Sequence, residues 1–253
     1  LKYLDSPVIE GQHLMLLHDS PKLYQKVGAL IVIGALALLL GNIAFAHTIS
    51  GDDANYVQGI DGPAIAPFIY LGAKHMVTGY DHLLYLLGVV FFLYRPIHVL
   101  QYVSLFALGH SITLLTGVLA NLQVNAFLID AIIGFSIVYK AFENMGGFDS
   151  LGSMRPNPKA AVFIFGLFHG LGLATKLQAF ELSSNGLVTN IISFNVGVEL
   201  GQLLALSAIL LLLSLWRTRA SYTRYALVSN TLLMGGGFIL TAYQLTAFFS
   251  ANV

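Results

Sequence analysis

The chain has 253 residues, 57% of them hydrophobic and only 9% charged, and its twelve Lys and Arg balance twelve Asp and Glu. Soluble globular domains carry about 25% charged residues, so that class is excluded, and no basic block points to a nucleic-acid partner. Cysteine is absent, which removes disulfides, thiolate ligands and Cys nucleophiles, and five Met residues argue against a thioether-lined copper(I) path.

Residues 1–26 are mixed and polar and read as a cytoplasmic N-terminal segment. Residues 27–46 are apolar and long enough to span a bilayer, which takes about 20 residues. That run ends Ala44-Phe45-Ala46, similar to the small-residue cleavage site of a signal peptide, so it reads as a signal-anchor or a signal peptide. Cleavage would leave His47 as a chelating N-terminus. Residues 47–66 form an external acidic segment with Asp52, Asp53 and Asp61 and no Lys or Arg. Residues 67–253 read as one membrane domain.

Within it the apolar stretch 67–94 would be roughly 40 Å long as one helix, longer than the ~30 Å hydrocarbon core, and it closes at Arg95-Pro96. Further spans are expected at 97–120, 124–142, 159–179, 187–216 and 225–249. Arg95, Lys140, Arg155, Lys159, Arg217, Arg219 and Arg224 fall in or beside alternate loops, whereas 47–66, 121–123 and 180–186 hold no Lys or Arg. By the positive-inside rule the N-terminus is inside and the C-terminus outside. The expectation is an all-α polytopic bundle of seven spans, or six if the first is cleaved.

Ionisable residues inside such spans are costly and point to function by default. His75, Asp81 and His82 fall within eight residues at the mouth of the second span. Imidazole with carboxylate suits nickel, cobalt, zinc or iron rather than magnesium or calcium. His75 and His82 are two helical turns apart and share a face; Asp81 would stand about 100° away unless Gly79 loosens the helix. The competing reading is polar glue between helices. His82 and His110 each lie thirteen residues from the charged end of their spans, hence at one depth of about 20 Å, and His169 sits near the midplane. A shared depth is what a common site needs.

His169 is bracketed by Gly166 and Gly170, and Glu199 by Gly197 and Gly201, the small-xxx-small pattern that lets helix backbones approach. Glu199 is expected to be buried, partnered by His169 or a metal, with Asn195 and Gln202 on its face. Ser111 and Asp130 are supporting candidates, Asp130 as an extension of an entry path or as a packing residue. Lys140 and Glu143, at i,i+3 spacing, read as an interfacial pair.

These motifs together resemble the HupE/UreJ family of bacterial membrane proteins, in its second branch. The resemblance covers roughly residues 70–205 and rests on His75-x-x-x-Gly79-x-Asp81-His82, Gly109-His110-Ser111, SIVYKAFEN at 136–144, FGLFHGLGLA at 165–174 and FNVGVELGQ at 194–202. It implies a permease for nickel or a related metal in a bacterial inner membrane, serving metalloenzyme maturation. The chain departs from the better-known branch at Met76, where that branch has Pro, and in having only His169 in its later His-Gly span. Metal ligands on this reading are His75, Asp81, His82, His110, His169 and Glu199, with nickel first and zinc, cobalt or copper as alternatives. Two other readings stay open. One is a zinc-dependent intramembrane lipid hydrolase using Asp81, His82, His110, Ser111 and His169; the other is a structural or assembly subunit of a larger membrane complex. A retinal receptor is disfavoured because the last span has no Lys.

Overall fold

An unpaired backbone N–H or C=O in hydrocarbon costs several kcal/mol, so an apolar chain satisfies its backbone locally, as helix. The computed structural model describes residues 58–179 and 182–251; the 27–46 run, His47, Asp52 and Asp53 lie outside these. Among the described residues every regular element is helical: α1 (Ile65–Thr78), α2 (Tyr80–Val90), α3 (Pro96–Leu119), α4 (Ala126–Asn144), a short 3-10 segment (Asp149–Met154), α5 (Pro158–Gln178), α6 (Leu187–Arg217) and α7 (Ala220–Ala251). Local chemistry sets the starts. Pro96 and Pro158 occupy first-turn positions where a missing N–H costs little. Asn125 Oδ1 accepts the Leu128 N–H at 3.2 Å, and Asn157 Oδ1 accepts those of Lys159 and Ala160 at 2.9 and 3.4 Å.

Among the described residues four helices, α3, α5, α6 and α7, are long and apolar enough to cross a membrane. Two expected spans differ from a plain apolar helix. The 67–94 stretch is divided at Gly79 into α1 and α2. The 124–142 stretch is α4, with Asp130, Lys140 and Glu143 buried along it. The outer surface of the bundle is apolar: Leu100, Leu108, Leu204, Leu212 and Phe238 are all more than half exposed. Large apolar residues outside with ionisable ones inside invert the pattern of a water-soluble domain. The chain is a multi-pass membrane protein.

Glycines set which helices touch. Gly197 and Gly201 of α6 lie against the backbone carbonyls of Ile69 and Ala73 in α1, and Gly72 returns the contact onto Phe194. Residue numbers rise together along this seam, so α1 and α6 run parallel. Gly166 and Gly170 of α5 meet the carbonyls of Phe106 and His110 in α3 in the same way, again parallel. Thr113 locks this second seam by donating Oγ1–H to the Leu167 carbonyl at 2.6 Å. Along the third seam Gly134 of α4 faces Thr241, and Gly237 of α7 faces Val138, so this pair is antiparallel. Apolar helices gain no hydrophobic energy over lipid by pairing, and close backbone packing is what holds them.

The end of α2 is closed by other elements. Its last carbonyls lack helical partners. Arg217 at the end of α6 donates to the carbonyls of Val90, Phe91 and Leu93, and the Tyr222 hydroxyl donates to Phe91 at 2.6 Å.

The seams are open to test by one pair of substitutions. A β-carbon at Gly197 would strike the Ile69 carbonyl, so Gly197→Val should cost about 2 kcal/mol or more. Gly235 has nothing within 4 Å of an added β-carbon, and Gly235→Val should stay within about 1 kcal/mol of wild type. Thermal unfolding in mild detergent measures both; equal melting would refute the seam as the holding contact.

Candidate metal centre

Gly79 is where the centre begins. Its backbone (φ −74°, ψ 100°) is extended, so the helical bonds stop with Gly79 N–H to the His75 carbonyl at 2.9 Å and resume with Leu83 N–H to the Gly79 carbonyl at 3.1 Å. The break re-aims Asp81, whose Oδ1 stands 3.0 Å from His82 Nδ1. The space is tight: a β-carbon on Gly79 would lie 3.0 Å from His82 Nδ1 and 3.2 Å from Asp81 Oδ1.

His82 is the hub. Its ring centroid lies 5.2 Å from that of His75, 6.2 Å from His110 and 5.0 Å from His169. Three separate backbone runs, α1–α2, α3 and α5, therefore bring imidazoles to one place. Asp81, His82, His110 and His169 are each 1% exposed and His75 8%. Aromatic rings wall them in: Tyr85 and Phe106 lie 5.4 and 5.0 Å from His169, and Phe194 lies 6.3 Å from His75. Two apolar clusters sandwich this polar layer. One holds Val89, Val103 and Leu213 toward the Arg217 end of the bundle; the other holds Phe68, Leu114 and Ile191 toward the end where α6 begins.

Hydrogen bonds fix which nitrogens are offered. The Phe165 carbonyl can only accept, so His169 Nδ1, 2.8 Å away, carries the proton and donates it. Nε2 of the neutral ring then keeps its lone pair, and it is buried without a hydrogen-bond partner, as is Nε2 of His110. An ionised Asp81 sets His82 likewise, with Nδ1–H donated to the carboxylate. That is the carboxylate–histidine pairing that orients metal-binding imidazoles.

The arrangement is gathered but not closed. At about 2.1 Å from metal to nitrogen, two imidazoles on one ion have ring centroids roughly 5 Å apart, the spacing of the 75–82 and 82–169 pairs. Among the described residues, however, no three His, Asp or Glu side chains are placed to hold an ion together. Nitrogen position, not ring spacing, decides coordination.

Glu199 is not in this group. It is exposed on α6, where a buried carboxylate was expected. The reason is angular. Glu199 stands two residues from both Gly197 and Gly201, about 200° around the helix from each, so the seam against α1 turns it outward. His169, one residue from Gly170, flanks its seam and stays inside. Gln202 does face inward, buried, with Nε2 3.4 Å from the Val103 carbonyl. Asn195 donates Nδ2–H to Ser111 Oγ at 2.8 Å, and its Oδ1 is buried with no hydrogen-bond partner. Asp130 is held by Lys176, whose Nζ lies 3.0 and 2.9 Å from its two oxygens. Sequence reasoning passed over Lys176, although a lysine inside an apolar run needs a carboxylate and Asp130 was already in view. Lys140 and Glu143, read as interfacial, form a buried pair at 2.9 Å.

Fold and site together define a polytopic helical membrane protein with a buried histidine centre at a broken helix. The chain matches the HupE / UreJ protein family over residues 52–252, in its second branch, and belongs to that family. The family is one of transporter-like membrane proteins generally associated with nickel and cobalt. No curated protein and no solved structure matches the chain.

Gly79→Ala tests the geometry without a ligand. The added methyl should push His82 and Asp81 apart while leaving helix content unchanged, shifting the 15N resonances of the His82 ring. An unshifted His82 signal would show that Gly79 does not govern the pair.

Proposed function

We propose that the protein is a permease for a divalent transition metal, nickel first and cobalt next, which it binds as cargo at His75, Asp81, His82, His110 and His169. The observation that carries this is the convergence of imidazoles from three backbone runs on His82, beside a helix broken inside the apolar domain. Discontinuous helices are where membrane transporters commonly build cargo sites, because local unwinding frees backbone and re-aims side chains. Neutral imidazole with one carboxylate favours borderline metals over magnesium or calcium. Glu199, facing outward, has no part in the site on this reading.

The positive-inside pattern puts the Arg217 end of the bundle in the cytoplasm, with the N-terminus inside and the C-terminus outside. On that orientation the chain crosses a bacterial inner membrane seven times, or six if residues 27–46 are removed. The acidic segment 47–66 then gathers cations outside, and His75 is the first imidazole they meet. Each imidazole must be unprotonated to bind, so affinity should fall as pH falls.

The test is elemental analysis of protein purified in mild detergent, followed by uptake into proteoliposomes. About one nickel per wild-type chain is expected, with at least a tenfold loss in both His82→Ala and His169→Ala, and Asp81→Asn weaker by about 10–100-fold. Wild type that takes up no nickel, cobalt, zinc or copper would sink the permease reading. Metal retained with lipid turnover and no flux would replace it with a hydrolase.

A further inference from the structure

Among the described residues, two ion pairs whose carboxylates are buried on α4 lie outside the histidine centre. Asp130 pairs with Lys176 of α5 through both oxygens, at 3.0 and 2.9 Å. Glu143 pairs with Lys140 on α4 itself at 2.9 Å, with both side chains 8% exposed. Along the helix the two carboxylates are thirteen residues apart, roughly 20 Å.

The histidines fall between them. Gly172 is one turn beyond His169 in α5, and a β-carbon there would sit 3.7 Å from Asp130 Oδ1. In the other direction Tyr85 contacts His169, and Gly88, one turn further along α2, faces Lys140, with 3.2 Å from an added β-carbon to Lys140 Cγ. Each pair is thus about one helical turn from the centre's own lining, on opposite sides, and each faces a glycine. The residue after Glu143, Asn144, donates to the Gly88 carbonyl and to Asn230 Oδ1, both at 2.9 Å.

Stability does not account for such pairs. Desolvation consumes most of the attraction in a buried ion pair, and well-packed neutral replacements are commonly as stable. A carboxylate already holding an ammonium is, however, a cation site with a tethered cation in it. A divalent ion moving toward or away from the histidines would compete for that carboxylate with twice the lysine's charge.

We propose that the Asp130–Lys176 and Lys140–Glu143 pairs are the outer and inner gates of the metal path, each lysine occupying the carboxylate that the passing divalent cation uses. The proposal rests on the permease reading above. It makes the pairs stations of transit, distinct from the binding centre.

The test compares wild type with two doubly neutral variants of the full chain, Asp130→Asn/Lys176→Met and Lys140→Met/Glu143→Gln, using nickel ion as probe. Bound nickel is measured in detergent and uptake in proteoliposomes. Both variants are expected to keep wild-type stoichiometry and to lose at least tenfold in uptake. Uptake at the wild-type rate in either variant would overturn the gate at that pair. Loss of bound nickel together with uptake would also overturn it, because the pair would then be holding the centre together. Wild type that neither binds nor moves nickel would instead defeat the permease reading itself, a result separate from both.

Discussion

The close approach of helix backbones along three glycine seams is the constraint on which the rest of this structure depends. In lipid there is no hydrophobic gain in pairing two apolar helices, so the contact must come from packing, and only glycine lets one backbone reach the carbonyls of another. Once Gly166 and Gly170 are seated on α3, the rotation of α5 about its axis is settled. Three of its residues then take their roles from that rotation: His169 turns to the centre, Gly172 to Asp130, and Lys176 to the same carboxylate. The same logic on α6 turns Gln202 in and Glu199 out.

A histidine centre is expensive in such a setting, and the structure offsets the cost in a recognisable way. One ring nitrogen is tied to an acceptor, the Phe165 carbonyl for His169 and the Asp81 carboxylate for His82. In His169 the other, Nε2, is left to face its neighbours. Above and below lie apolar clusters that exclude water, which strengthens any charge interaction between them.

Much of the centre was legible in the chain. Counting residues from Arg95 and from Ile97 put His82 and His110 at one depth, and their rings do meet. Gly79 was the natural point for a helix to loosen, and that is where α1 gives way to α2. Glu199 was misread because the bracketing glycines were taken as a sign of burial, without asking which way the residue between them points. A position midway between two seam glycines faces away from the seam. Lys140 and Glu143 looked interfacial because they stand near a helix end, and burial there comes from α2 and α7 packing over them.

By itself the sequence pointed to the class of protein, the apolar helices and the family. Class and helices follow from composition, from apolar runs set by bilayer thickness, and from residue types that act within a turn of themselves; the family follows from the resemblance of its motifs. Only the tertiary structure decided which ionisable residues share a space. Depth along a helix can be counted from its end, but azimuth depends on the neighbour a helix packs against. The ring contacts at His82, the Lys176–Asp130 pair and the outward turn of Glu199 are all matters of azimuth.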